Sequence, residues 1–447
     1  MENEFTSLFG TLDFDGSKSD FYYSDGKLTV ILTEETFRKL TYEQQWINQI
    51  MVFLSTEKKP ITAPLKGVTK DLNRPVYFFF QPFAYSFHSK CDSFGPSFRI
   101  VIYVDLVFLA KKRIEDQTVN SFSLYSKQFH QFLGICPKRA ETFSTDLRCS
   151  IDYSSPSLKM SSEFSIGEKF FRLKPNIWFN ELKPFFEFIP GLTVYFNDND
   201  EKEIPQIYFA AIDFLRFAFM RKDISPDMVC FNMNHFEGEI DCPRLKKIPY
   251  IPDYDFNHSS GSLRWPDFYK HAARLFCLIF EKKVYLDHIP QDFEGRKYVD
   301  YTSISKISSA FEYEEKASVA QARANCRIEE QVNKLNHSNA NDSFCSKEKK
   351  EKNKLGERIE AMLDKHEKSL SSLKKKLGIT RSNKEIAIDC ANARNKVDHG
   401  DYFDLNEPDF HAESIAVLNA LVYSLQLTRV GYLEDEINNL IAELYKF

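Results

Sequence analysis

The apolar residues of this chain change their period once, and a proline-rich stretch marks the place. Up to about residue 245 they fall in short runs rich in aromatic and β-branched side chains, broken by turn signals, the pattern of strands. FYYSDGKLTVIL sets Asp25 and Gly26 between two such runs, a hairpin signature because glycine tolerates the positive φ that the turn needs. PVYFFFQPF and SFRIVIYVDLVFL read as further strands, and LTVYFNDNDEKEIPQIYF repeats the pattern around a polar turn at 197–203. Residues 35–54 and 207–221 fit helices packed on a sheet. The stretch PRLKKIPYIPDYDFNHSSGS then interrupts any period. Beyond it the apolar spacing is helical, and helices are expected at 266–283, 304–335, 355–377, 382–400, 411–428 and 432–446. The fold class is therefore α+β, with a β-rich N-terminal region (1–245), a linker (246–262) and an all-α bundle (263–447). A length of 447 residues suits two or three domains.

Several function classes drop out. Glycine is sparse, at 15 residues, and neither GxxxxGK[ST] nor GxGxxG occurs, so the common phosphate-cradling loops are missing. The N-terminus MENEFTSLFG lacks the basic and apolar segments of a secretory signal. The longest apolar run, IPQIYFAAIDFLRFAFM, is interrupted by Asp213 and Arg216, which argues against a membrane span and for a cytoplasmic protein. Nine cysteines without CxxC spacing indicate neither a zinc site nor a disulfide framework, and read as reduced core residues. Net charge is −5, yet residues 347–384 hold 13 Lys/Arg against 6 Asp/Glu. That local excess fits a solvated helical hairpin or an RNA-phosphate surface equally well.

The chemistry-bearing stretch is ARNKVDHGDYF, in the last third of the chain. Ser382 with Glu385 three residues on makes a capping box, so a helix should begin there, with Ile386, Cys390, Ala393 and Val397 as its buried stripe and Gly400 as a left-handed C-terminal cap. Arg394 and His399 sit near its end, off that stripe. Of the 10 histidines only His399 follows an arginine by five positions. Histidine titrates near neutrality and can move a proton, while arginine stays charged and offers phosphate a planar fork of donors. Together they suit metal-free RNA cleavage, in which a 2′-hydroxyl attacks the adjacent phosphorus. Residues five apart on a helix point about 140° apart, so the last turn is expected to fray and let the imidazole swing toward Arg394. The helix C-terminus should favour the protonated ring. His271, among apolar neighbours in FYKHAARLF, reads as a satisfied, partly buried histidine, and His235 lacks a second ligand at metal spacing.

An all-helical region with Arg, a polar residue, a short gap and then His-Gly at a helix end resembles the HEPN superfamily, and the RN…HG form is similar to its ApeA-like branch. The resemblance covers about residues 263–447. Glu312 in SSAFEYEE matches the Phe-Glu pair of that branch, and LFGTLDFDG is similar to the opening of its N-terminal region. Asp401 stands where some members carry a tyrosine, with Tyr402 following. The resemblance implies a metal- and cofactor-independent endoribonuclease of anti-phage abortive infection, with tRNA or another exposed RNA loop as substrate. It assigns Arg394, His399, Asn395 and Glu312 to catalysis, and Lys396 and Tyr402 to substrate contact. It further implies a homodimer or larger even assembly, a phage-derived trigger, and an N-terminal region that senses or restrains. The alternative is a non-catalytic HEPN module that binds nucleotide or a protein partner.

Overall fold

Two Asp-Gly pairs set the start of the chain. In the computed structural model, β1 (Leu8–Phe14), β2 (Ser17–Ser24) and β3 (Lys27–Leu32) are joined by Asp15-Gly16 and Asp25-Gly26. All four turn residues have positive φ, as a two-residue turn between right-twisted strands requires. The described residues are 7–37, 64–71, 73–92, 95–110, 120–134, 156–180, 187–197, 203–232, 238–241, 261–292, 294–296, 298–336, 354–400 and 411–446. Over them the chain is α+β as expected, strands dominating the N-terminal half and helices the C-terminal part. The segment at 207–221 is largely helix, whereas residues 38–54 of the other expected helix lie outside the described residues, as does His235.

The next strands are β4 (Leu65–Thr69), β5 (Pro75–Asp92) and β6 (Gly95–Ala110). β6 has β5 along one edge, while its other edge is shared. Its first half pairs with β3, from Phe98 opposite Leu32 to Tyr103 opposite Lys27. Its second half, Val107 to Ala110, pairs with β12 (Gly238–Asp241). The β3–β6 pairing closes β3-β2-β1-β4-β5-β6 into a six-stranded barrel, which leaves no open edge in that circuit. An irregularity in β5 between Phe80 and Tyr85 lets the strand bend round. Phe14, Phe21, Tyr23, Phe78, Phe80 and Tyr85 fill the interior with Leu, Val and Ile side chains. A Cβ at Gly10 would lie 2.1 Å from the Val68 carbonyl, so β1 and β4 approach closely only because that residue is glycine. From β12 the sheet runs on through β11 (Met228–Asn232), β7 (Ser121–Tyr125), β10 (Glu187–Phe196) and β9 (Lys169–Asn180).

The chain folds into two compact units that interleave in sequence. The first holds Met1–Lys127, Gly167–Phe209 and Ser225–Tyr250, and the second Gln128–Ile166, Ala210–Ile224 and Ile251–Phe447. The composition break at 246–262 thus marks where helices take over, whereas the second unit also recruits 128–166 and 210–224. Its elements are α1 (Phe129–Leu133), β8 (Ser162–Ile166), the latter half of α2 (Ile204–Phe219), α3 (Trp265–Phe280), α4 (Tyr301–Asn336), α5 (Leu355–Lys365), α6 (Glu367–Lys376), α7 (Asn383–His399), α8 (Ala412–Val430) and α9 (Glu434–Leu444).

α8 is the axis of this unit. Fifteen of its 19 residues are buried, and α3, α4, α5, α6, α7 and α9 all pack on it. The expected single apolar face of Ile415, Leu418, Val422 and Leu425 is therefore only part of what it buries. A helix hydrophobic on every side is stable only when surrounded. Two of its buried polar residues bond to neighbouring elements: Gln426 Nε2 donates to the Tyr285 carbonyl (2.9 Å), and the Arg429 guanidinium pairs with Glu314 and donates to the Lys283 carbonyl (3.0 Å). Glu314 also accepts from the Tyr285 N–H at 2.8 Å.

One expected helix is two. The run 355–377 breaks between α5 and α6 at His366, whose backbone (φ −104°, ψ 17°) leaves the helical region. The departure accompanies an inward imidazole, 5% exposed, with Nδ1 2.9 Å from Ser424 Oγ on α8. Burial pushes the His366 pKa down to about 4, helped by the charge of Lys365. Protonation then favours the unfolded chain, where the ring titrates near its ordinary value. This contribution is complete above about pH 6.5 and is lost as pH falls toward 4. By pH 5 the loss amounts to about 2 kcal/mol. Urea midpoints measured between about pH 7 and pH 5 should fall accordingly, and His366→Gln should flatten the slope; an unchanged slope in that variant would assign the acid sensitivity elsewhere.

Candidate functional site

α7 begins as its caps dictate. Ser382 Oγ accepts from the Glu385 N–H (3.3 Å) while Glu385 accepts from the Ser382 N–H (2.8 Å), and Gly400 ends the helix at φ 73°. Ile386, Ala387, Cys390 and Ala393 are buried; Val397 is only half-buried, since the stripe rises out of the core toward the C-terminus. The buried face packs on α4, α5 and α8. Cys390 Sγ donates to the Ser414 carbonyl, and burial pushes its thiol far above the ordinary range. It is a core residue.

Packing on α4 brings Glu312 to Arg394. Glu312 Oε1 lies 3.7 Å from Arg394 Nη2, and its other oxygen 4.0 Å from Lys316 Nζ. A closer acid comes from α7 itself: Asp398 Oδ2 is 2.9 Å from Arg394 Nε. Asp398 is not among the residues singled out from the sequence, although its i,i+4 spacing from Arg394 is visible there. An acid in the last turn opposes the helix dipole, so Asp398 does not stabilise the helix end by itself. The three side chains are about one third exposed, so this charge cluster is open to ligands.

His399 is exposed, as the last helical residue. The last turn does not fray: the helix is regular through His399, and Gly400 N–H bonds back to the carbonyls of Lys396 and Val397. On a regular helix the two side chains leave about 140° apart, which is why no hydrogen bond or ion pair joins His399 to Arg394 within the described residues of one chain. Asn395 is exposed, with Oδ1 3.5 Å from Arg394 Nη1, a distance too long to orient the guanidinium strongly. Lys396 is exposed on the same turn. Tyr402 and Asp401 lie outside the described residues.

Of the nine basic residues of the stretch 347–384 that fall among the described residues, five are engaged within the protein. Arg358 pairs with Glu315, Lys368 with Asp435, Lys374 with Glu367 and Asn383, Arg381 with Asp389, and Lys376 Nζ donates to the Tyr445 carbonyl at 2.6 Å. This pattern favours the solvated hairpin over a continuous phosphate track. His271 packs edge-on against Tyr432 (4.8 Å), as a partly buried structural histidine does. Among the described residues no three His, Cys, Asp or Glu side chains are grouped to hold a metal ion, and no helix is long and apolar enough to cross a membrane. No family model matches the chain, and neither a curated protein nor a solved structure is detectably similar to it.

Proposed function

We propose that the chain is a cytoplasmic HEPN-type endoribonuclease that cuts RNA through its own 2′-hydroxyl and serves as an abortive-infection effector. The observation that carries the reading is an arginine oriented by carboxylates from two helices, five residues before an exposed histidine at a glycine-capped helix end. Arg394 supplies donors to the phosphoryl oxygens, Glu312 positions Arg394, and His399 transfers the proton, with Asn395, Lys396 and Tyr402 as further contacts to the substrate. Because Arg394 and His399 diverge on a single helix, the reading calls for two copies, whose helix ends would supply donors from both sides of the phosphate; a homodimer or larger even assembly follows. Exposed loops such as those of tRNA fit this chemistry, since an unstacked nucleotide reaches in-line geometry. A phage-derived trigger and a sensing or restraining N-terminal region complete the proposal.

The test is the product. Cleavage by the full chain should persist in EDTA and leave 2′,3′-cyclic phosphate and 5′-hydroxyl ends; 5′-phosphate ends, or complete loss of activity on chelation, would overturn the mechanism.

One observation favours a second reading, a non-catalytic HEPN module that binds nucleotide or protein. Glu312 and Asp398 both lie against Arg394, so a phosphate must displace a carboxylate to reach it. Asp398→Asn separates the two. In a ribonuclease it alters the cleavage rate; in a binding module total RNA stays intact in wild type and variant alike, even with phage components present.

A further inference from the structure

Nine large apolar side chains stand exposed among the described residues, and the four that belong to the barrel share one face of it: Phe9 (47% exposed), Tyr22 (39%), Ile31 (54%) and Tyr103 (48%). Their strands β1, β2, β3 and β6 are neighbours, and strand alternation turns all four outward, away from Tyr23, Leu28 and Ile102 in the interior. Register sets Phe9 opposite Tyr22, with ring centroids 4.8 Å apart, and the row continues through Thr29 to Val101, both half-buried on the same face. Ile31 and Tyr103 stand two residues to either side of that row, so the apolar surface runs across all four strands. With strands about 4.8 Å apart and residues two apart about 7 Å along a strand, Tyr103 lies roughly 12 Å from Tyr22. An exposed apolar patch that spans neighbouring elements marks an interaction surface.

The charge on the face narrows what it contacts. Asp20 is held by Lys70 (3.1 Å), Asp13 stands opposite Lys18 in register, and Asp25, in the turn beyond, accepts from Ser24 Oγ (3.1 Å). Lys27 is directly opposite Tyr103 and Arg99 directly opposite Ile31, and neither cation has an ion pair among the described residues. Flat rings thus alternate with unpaired cations. That interleaving matches an unpaired nucleic-acid strand, whose bases stack on rings whatever their identity and whose phosphates seek cations. A peptide that adds itself as a strand does not fit, because each of the four strands is already paired along both edges. A second copy laid on this face would set the unpaired cations of both chains against one another.

We propose that the outer face of β1, β2, β3 and β6 binds single-stranded RNA, with bases stacked on Phe9, Tyr22 and Tyr103 and phosphates met by Lys27 and Arg99. Such binding is indifferent to sequence, and a duplex, whose bases are stacked on one another, is excluded from it. The choice of RNA over DNA rests on the ribonuclease reading; the stacking surface does not.

Fluorescence anisotropy on the full chain tests it, with a labelled 2′-O-methyl oligouridylate of about ten nucleotides, a length that one small barrel holds. This probe has no 2′-hydroxyl to attack, so it reports binding whether or not the chain cuts RNA. It should bind saturably at roughly micromolar protein in low salt, more tightly than the same sequence in a duplex and at least as tightly as its deoxy counterpart. Tyr22→Ala with Tyr103→Ala should weaken binding about tenfold or more, whereas Tyr22→Phe with Tyr103→Phe, which keep the rings, should hold it within about threefold. Lys27→Gln with Arg99→Gln should lower the slope of log affinity against log salt by about 1.4, the value for two phosphates of a single strand. Ile31→Glu, at the most exposed of the four positions, sets a carboxylate among the phosphates; it should also weaken binding about tenfold, and it keeps the test open if the double alanine variant fails to fold. No saturable binding, affinity undiminished in Ile31→Glu or in the folded double alanine variant, or a duplex bound as tightly as the single strand would each overturn the proposal. A deoxy probe bound more tightly would overturn the assignment to RNA, and a dimer that Ile31→Glu dissociates, with no oligonucleotide bound by the parent, would give the face to a second copy instead.

Discussion

His399→Ala protein should cleave RNA about 10²–10⁴-fold more slowly than the parent, the range over which a positioned general acid or base acts. The substitution removes an exposed side chain with no hydrogen bond among the described residues, so stability should change by less than about 0.5 kcal/mol and assembly should be unaffected. Arg394→Ala should be comparably inactive for a different reason. It leaves Glu312 and Asp398 facing the phosphate with no cation between them, so loss of donors and added repulsion act together. The measurement is single-turnover cleavage of a labelled RNA hairpin, with Tm and light scattering on the same samples. Retained cleavage by well-folded His399→Ala would remove the catalytic assignment, and a strictly monomeric active parent would remove the shared cleft.

The largest stability effect is expected at Glu314 and Arg429. Glu314 is fully buried and the Arg429 side chain is 8% exposed, so neither charge has water to fall back on. Burial raises the Glu314 pKa and Arg429 pulls it back, which makes each group a condition of the other's presence. Glu314→Ala or Arg429→Ala alone should cost about 3–5 kcal/mol, read as a lower urea midpoint. In the Glu314 variant the N–H of Tyr285 also loses its acceptor, and the amide of Gln426 keeps only the Tyr285 carbonyl. Replacing the pair together, Glu314→Leu with Arg429→Met, should recover most of that loss, because pairs of this kind are often neutral against well-packed apolar residues. Single variants costing under about 1 kcal/mol would show that the pair is solvated in solution.

Local chemistry is the legible part of the sequence. Asp25-Gly26 and the Ser382/Glu385 box dictate their turn and helix start through bonds within four residues, and both appear where expected. The encounter of Glu312 with Arg394 is readable only through the family resemblance, because it depends on how α4 and α7 pack. Closure of the barrel is not legible, since the register of β3 on β6 joins residues about 70 apart that carry no local mark. The break at His366 is hidden inside an unbroken apolar period, since its cause is a serine 58 positions away on α8. Asp398 escapes a search for groups that attract phosphate, because a carboxylate beside the arginine does the opposite. A tally of lysines and arginines likewise does not tell which of them the fold pairs internally, as it does Arg358 and Arg381.

The interleaving of the two units has a consequence for how the protein is made. The last segment of the first unit is complete at Tyr250, so every residue of the barrel has been synthesised before Ile251–Phe447 of the second unit, nearly 200 residues. The second unit cannot finish on that schedule. Residues 128–166 and 210–224 must wait for partners in Ile251–Phe447, and Arg296 clamps the Phe219 and Gly261 carbonyls to that of Leu444, in α9. At ribosomal speeds of about 5–20 residues per second, the interval is on the order of tens of seconds. During it the helix that bears His399 has no completed bundle to lean on, so a chain stalled or truncated before its last helix carries the motif without the architecture that aims it.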